Sequence, residues 1–258
     1  MNQTNDTWKQ QLDLCLYEYN YEASPRGMKV RERLPGSYSV PMPAFISLLD
    51  RKVNYSFMFA EAAWIVSGSN RYSFIEPYMR RYVDFSDDGV FLSGAYGPKV
   101  VDQLKYVVDC LESDRDSRQA VINIWRERPG PSKDIPCTLS MQFLIRDGHL
   151  QLVTTMRSHD VVLGFTYDVF TFSMVASAVK LLLAARGIEV ALGNLHVTAG
   201  SLHLYENQLE NAKLYIESDD SVNQEIELKV SQLETQVFSY EDLIQELNKL
   251  ADTWRKIK

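Results

Sequence analysis

The chain has 258 residues, 45% of them hydrophobic, with 27 basic against 34 acidic side chains for a formal net charge of −7. A mildly acidic surface argues against broad binding to nucleic acid or anionic membrane, which needs a basic face, but leaves room for a mononucleotide held by a few local arginines. Three cysteines without CxxC spacing make no disulfide framework, no uncharged apolar run approaches about 18 residues, and the N-terminus lacks a basic-then-apolar leader pattern, so a cytoplasmic protein without a membrane span is expected.

Helical spacing of Trp8, Leu12, Cys15, Leu16 and Tyr19 predicts a helix over 7–21, with Cys15 packed as a small hydrophobe. Ser24-Pro25-Arg26-Gly27 reads as a turn whose Arg26 is either a surface charge or a phosphate ligand, and the charged run 29–33 reads as a solvated edge. Residues 55–67 predict a helix that Gly68-Ser69-Asn70 ends. Glu61 lies on an apolar stretch of it, and burying a carboxylate costs on the order of several kcal/mol unless it is paired. It is therefore either ion-paired or at the edge of the apolar face, or a general acid/base with a raised pKa. Gly89, Gly94 and Gly97 around Tyr96 form a loop that brings backbone close to something, without the GxGxxG pattern of dinucleotide sites. A helix over 101–112, a charged turn over 113–118 ending in Arg118, and a buried strand over 120–125 follow; the loop 127–135, with Pro129, Gly130 and Pro131, is exposed by composition.

Segments 139–145 and 150–156 alternate as two strands, joined at Arg146-Asp147-Gly148-His149, where Asp-Gly is a hairpin signal. Residues 168–185 predict an almost wholly apolar helix, central to the globule, with Asp168 placed as its N-cap. Residues 199–205 read as a turn leading into helix with His203 a hydrogen-bonded core residue, 206–216 as helix, 217–223 as a polar loop and 225–237 as one or two strands. A final amphipathic helix opens at Ser239-Tyr240-Glu241-Asp242 and carries Leu243, Ile244, Leu247, Leu250, Ala251 and Trp254 on one face. No repeat or linker divides the chain, so residues 1–258 are expected to form one domain.

The chemistry gathers between Pro136 and Asp168. Cys137 heads the hairpin, and a thiol with an ordinary pKa of ~8.5 needs a nearby cation to be a nucleophile at neutral pH. Arg157, where the hairpin ends, could supply that charge and hold a phosphate. His149, His159, His196 and His203 all remain open as a base beside the thiol, and no Cys/His spacing suits a metal.

Pro136-Cys137, Arg157-Ser158-x-Asp160-x-x-x-Gly164 and His203-x-Tyr205, preceded by Glu61-x-x-Trp64 and Asp116-Ser117-Arg118, together resemble the thymidylate synthase superfamily over residues 20–215. Within it the chain looks most like the cytidylate hydroxymethylases, the phage deoxycytidylate enzymes and the CMP enzymes of nucleoside-antibiotic pathways, because Tyr167 is followed by Asp168 where thymidylate synthases have asparagine. Cytosine offers an amino donor at position 4 and an acceptor at nitrogen 3; a protonated carboxyl can satisfy both, whereas an amide suits the reversed pattern of uracil.

The resemblance implies an α/β (α+β) thymidylate synthase-like fold, a mixed sheet covered by helices, in a sheet-to-sheet homodimer with shared active sites. It implies 5,10-methylenetetrahydrofolate as cofactor and CMP or dCMP as substrate. Cys137 would add to ring carbon 6, Glu61 would organise water and proton transfer, and Asp168 would read cytosine. Arg157 and Ser158 would hold the phosphate, with Arg118 from the second subunit and Arg26 as a further ligand. His203 and Tyr205 would hold the sugar, Asp160 would lie near folate and base, and Trp64 and Gly164 near folate. Lys133 and the small Ala176 would make room for, or contact, a 2′-hydroxyl, favouring CMP. The chain departs from the synthase pattern at Gln119 and Thr138, in lacking tryptophans after Tyr96-Gly97, and in the charged C-terminal run 254–258, which argues for hydration and a hydroxymethyl product. A dCMP or dUMP methyltransferase and a non-catalytic nucleotide-binding relative stay open as alternatives.

Overall fold

The computed structural model describes residues 2–127 and 130–256. In chain order it runs α1 (Gln3–Tyr17), β1 (Tyr21–Ala23), β2 (Val30–Arg33), β3 (Gly36–Pro41), α2 (Tyr55–Val66), a short α3 (Tyr72–Ile75), α4 (Gly97–Ser113), β4 (Val121–Asn123), β5 (Thr138–Arg146), β6 (His149–Asp160), α5 (Leu163–Ala184), β7 (Ala191–Tyr205), α6 (Leu209–Glu217), α7 (Gln224–Gln236) and α8 (Tyr240–Lys256). The seven strands form one mixed sheet in the order β1-β2-β7-β6-β5-β4, with β3 also on β7. Among the described residues only β6 and β7 pair in parallel. They are the two strands joined through α5, the crossover that parallel pairing requires.

The hairpin forms as its turn residues dictate. Arg146 faces His149 across a two-residue loop, and Asp147 and Gly148 both sit at positive φ, 50° and 74°, the conformation that Asp-Gly favours. Along β5 and β6, Met141, Phe143, Ile145, Leu150, Leu152 and Met156 turn into the core, while Gln142, Leu144, Gln151, Val153 and Thr155 are only half-buried. α5 is the hub of that core, packed against α2, α4, α8, β6 and β7. By length and mean hydropathy (1.4) it could also cross a membrane; here it lies inside the fold.

Five sequence expectations change. α1 starts earlier than 7, because the Asn2 side chain caps it at the Thr4 N–H. The run 29–33 is not an edge: β2 is paired on both sides, with β1 and β7. α5 starts at Leu163 rather than 168, because the carboxylate of Asp160 accepts from the N–H groups of Val162 (2.7 Å) and Leu163 (3.2 Å). Asp160, not Asp168, is thus the acid at this helix start, and Asp168 stands in its second turn. Residues 199–205 are the end of β7, held by pairing with β2 and β6 on either side. Residues 225–237 are the helix α7, which Asn223 caps at Glu225 and Ile226; its apolar period is that of Ile226, Val230 and Leu233, all buried, and not a strand's alternation.

Candidate active site

Cys137, Glu61 and Asp168 line a single cavity of about 620 Å³ counting its open mouth, with Trp64, Tyr82 and Tyr96 in its walls. Cys137 comes from the residue before β5, Glu61 from the middle of α2, and Asp168 from the second turn of α5.

The chain entering Cys137 is clamped by Arg157, whose Nε and Nη2 donate to the carbonyls of Pro136 and Ile135 at 2.9 Å. The Arg157 N–H donates to the Cys137 carbonyl, also at 2.9 Å. The Tyr96 hydroxyl accepts from the Thr138 N–H at 3.2 Å, and the Asp134 carboxylate accepts from the Gly94 N–H at 2.7 Å. The glycine loop does bring backbone close: a Cβ at Gly94 would meet Asp134 Oδ1 at 2.6 Å, and one at Gly97 would meet Ser69 O at 2.5 Å. Burial pushes the Cys137 thiol up; the Arg157 charge pulls it down, Asp168 pushes it up again and Arg26 opposes. Burial wins, so Arg157 moderates the thiol rather than activating it. Among the described residues no histidine hydrogen-bonds to Cys137: His149 faces the Asp147 carbonyl, His159 Tyr38, His196 Ser39 and His203 Ser201.

Glu61 is half-buried with its Oε2 shut off from solvent, and among the described residues it makes no salt bridge to an arginine: its one hydrogen bond comes from the Tyr82 hydroxyl, 2.6 Å from Oε1, and Oε2 has no partner. Burial and the nearby Asp168 push its pKa from 4.5 to about 8, against the Tyr82 and Thr171 hydroxyls. Because the folded value is the higher one, the protonated carboxyl stabilises the fold fully below pH 4.5, and this contribution is lost as pH rises through about 8. Glu61→Gln is therefore expected to leave the melting temperature near wild type at pH 4 and raise it at pH 9, by on the order of 5 °C, while depressing turnover. Thermal scans at the two pH values check this; equal shifts at both would assign the effect to packing.

Asp168 also reaches a second group. Its Oδ2 lies 3.3 Å from Nδ1 of His159, a side chain with no exposure, and Nε2 of His159 lies 2.8 Å from the Tyr38 hydroxyl. Asp160 and His203 pair across β6 and β7. Burial lowers the His203 pKa, favouring the neutral ring, which meets Tyr205 edge-on at 5.0 Å. Ser158 faces Ser201, whose hydroxyl donates to Glu32 at 2.6 Å. Arg26, at φ 54°, is near enough for its charge to act on Cys137. Trp64 is in the cavity wall with its indole N–H enclosed and unpartnered.

Of the predicted residues, Cys137, Glu61, Asp168 and Trp64 line the cavity, whereas Arg26, Arg118, Lys133, Arg157, Ser158, Asp160, Gly164, Ala176, His203 and Tyr205 are not in its walls. Arg118 is exposed at the start of β4. Lys133 is exposed, its N–H held by Asp87 at 3.0 Å. Gly164 packs under Asp168, on the His159 side. Ala176 is wholly buried, two turns further along α5 than Asp168, so it lies in the core rather than in the cavity wall. Pro129 of the exposed loop, and Ile257 and Lys258 of the charged terminus, lie outside the described residues.

Sequence reasoning missed Tyr82, Tyr38 and the pairing of His159 with Asp168. Tyr82 comes from a 3-10 turn, Arg80–Phe85, with no periodic pattern to mark it; Tyr38 looks like an ordinary strand aromatic. Among the described residues no group of three His, Cys, Asp or Glu side chains could hold a metal.

A family model described as thymidylate synthase matches residues 37–250. The chain is 31% identical over 204 residues to the deoxyuridylate hydroxymethyltransferase of Bacillus phage SP01, covering 70% of this chain and 52% of that protein. It is 28% identical over 217 residues to the deoxyuridylate hydroxymethyltransferase of Pseudomonas phage M6, covering 78% and 60%. The match thus spans little more than half the length of these relatives.

Proposed function

Since the chain belongs to the thymidylate synthase family, we propose that it is a pyrimidine nucleotide hydroxymethylase acting on carbon 5 of CMP or dCMP. One observation carries the reading: the sulfur that would bond the ring, a half-buried acid, and the carboxyl that would select the ring share one cavity. In this reading Cys137 Sγ adds to ring carbon 6 and makes carbon 5 nucleophilic. Glu61, largely protonated near neutral pH, holds a proton that water can carry to and from the reacting carbons. Arg157 and Ser158, with Arg26, hold the phosphate; His203 and Tyr205 hold the sugar.

The aromatic walls, together with the unpartnered Trp64 N–H and Glu61 Oε2, suit a flat heterocycle with polar edges beside the nucleotide, so a folate fits. Trp64 and Asp160 would hold it. When bound, 5,10-methylenetetrahydrofolate supplies the one-carbon unit at the oxidation level of formaldehyde. Addition of water then yields 5-hydroxymethylcytidylate and tetrahydrofolate.

The reading takes residues 1–258 as one catalytic domain, cytoplasmic, and paired through the half-buried face of β5 and β6, which would bring Arg118 to the partner's cavity. A second reading, hydroxymethylation of deoxyuridylate, is favoured by the names of the two phage relatives. Incubating the protein with methylenetetrahydrofolate and CMP, dCMP or dUMP, and weighing the products, tests both. The expected outcome is a cytidylate heavier by one hydroxymethyl group. Turnover of dUMP alone would establish the second reading, and a methylated product with dihydrofolate would overturn the hydroxymethyl assignment.

A further inference from the structure

His159 is enclosed on β6, between Tyr38 of β3 and the first turns of α5, with Phe165 stacked on Tyr38 at 4.5 Å. A neutral imidazole has one donor and one acceptor nitrogen. The Tyr38 hydroxyl, 2.8 Å from Nε2, can donate to that nitrogen, which places the ring proton on Nδ1. Nδ1 forms no hydrogen bond, and the polar atom beside it is Asp168 Oδ2, at 3.3 Å. Such contacts are often loose without substrate and tighten with it. Gly164 packs against both groups: a Cβ there would sit 3.3 Å from His159 Nδ1 and 3.4 Å from Asp168 Oδ2. The charge of Asp168 also acts on Glu61, Tyr82, Tyr96 and Cys137, the acids and hydroxyls of the cavity.

We propose that His159, its tautomer set by Tyr38, is the positioning residue that makes Asp168 selective for an amino-bearing pyrimidine. The proposal rests on the reading of the site given above. By donating to Oδ2, His159 Nδ1–H orients the carboxyl so that in its protonated form Oδ2 presents its proton to ring nitrogen 3 while Oδ1 accepts from the exocyclic amino group. As Cys137 Sγ gives up its proton to water at the open cavity mouth and bonds carbon 6, the electron pair of the 5,6 double bond shifts towards carbon 4 and nitrogen 3, and nitrogen 3 takes the proton from Oδ2. The carboxylate left behind then accepts from both nitrogen 3 and His159 Nδ1–H. A keto-bearing ring, which needs a donor at position 4, finds only an acceptor there.

The test measures affinity for CMP and UMP, and carbon-5 tritium release from each, in wild type, His159→Leu, His159→Asn, Tyr38→Phe and Asp168→Ala. Asparagine keeps an amide donor about where Nδ1 stands, whereas leucine keeps none. The expected result is a cytidylate-to-uridylate preference that falls about tenfold or more in His159→Leu, chiefly through kcat, is largely rescued in His159→Asn and is partly lost in Tyr38→Phe. If His159→Leu melts early, Tyr38→Phe, which deletes one hydroxyl, carries the comparison. The proposal is overturned if Asp168→Ala erases the preference while His159→Leu and Tyr38→Phe leave it intact. A wild type with no preference for cytidylate overturns the underlying reading instead, and with it the proposal.

Discussion

Cys137→Ala is expected to reduce tritium release from the 5-position of the substrate by roughly a thousandfold or more, while nucleotide binding changes little. Release requires a bond to carbon 6, because only then does carbon 5 carry enough negative charge to exchange its hydrogen, and no neighbouring group can replace the sulfur. Arg157, Asp168, Arg26, Asp134 and Tyr96 are the ionisable side chains whose charges couple to it, and none is a comparable nucleophile. A variant that still releases tritium at the wild-type rate would remove the covalent mechanism. The same thiol has a pH signature. Since burial raises it above the ordinary thiol range and Arg157 partly opposes this, alkylation by iodoacetamide is expected to keep accelerating beyond about pH 9, and Arg157→Ala to displace the rise to still higher pH. A plateau below pH 8 would mean that the thiol is activated after all.

Asp168→Asn is expected to reverse the base preference, lowering kcat/KM for cytidylate by about a hundredfold or more and raising it for uridylate. The amide oxygen would turn toward the His159 N–H and accept from ring nitrogen 3 of uracil, and the amide nitrogen would donate to the keto oxygen. Cytosine in the same site loses the transferable proton and faces a donor where it needs an acceptor, which leaves enclosed polar groups unpaired. Competition between CMP and UMP, read by product mass, checks this. An unchanged preference would show that selection happens elsewhere, and the first place to look would be the Asp134 and Gly94 side of the cavity.

Much of this was readable along the chain. The Asp-Gly hairpin, the apolar helices α2 and α5, the amphipathic α8 and the motif residues around Cys137 and Arg157 announce themselves, because each depends on local turn chemistry or on one element's own apolar period. What was misread had a nonlocal cause. Residues 199–205 become strand only because β2 and β6 flank them, and Asp168 moves off the helix start only because Asp160 takes the capping bonds. Ala176 looked like a ligand contact until the packing of α5 put it in the core.

The amino-acid sequence by itself determined the family, the motif residues that carry it and most of the helices, since these are properties of residue type and short-range spacing. Tertiary structure alone decided what those groups become: a thiol raised rather than lowered, a glutamate protonated near neutrality, and a histidine set between a tyrosine and an aspartate far away in sequence. The physical reason is that desolvation and donor-acceptor pairing depend on which elements enclose a side chain, and that enclosure exists only once β3, β6, α2 and α5 have packed together.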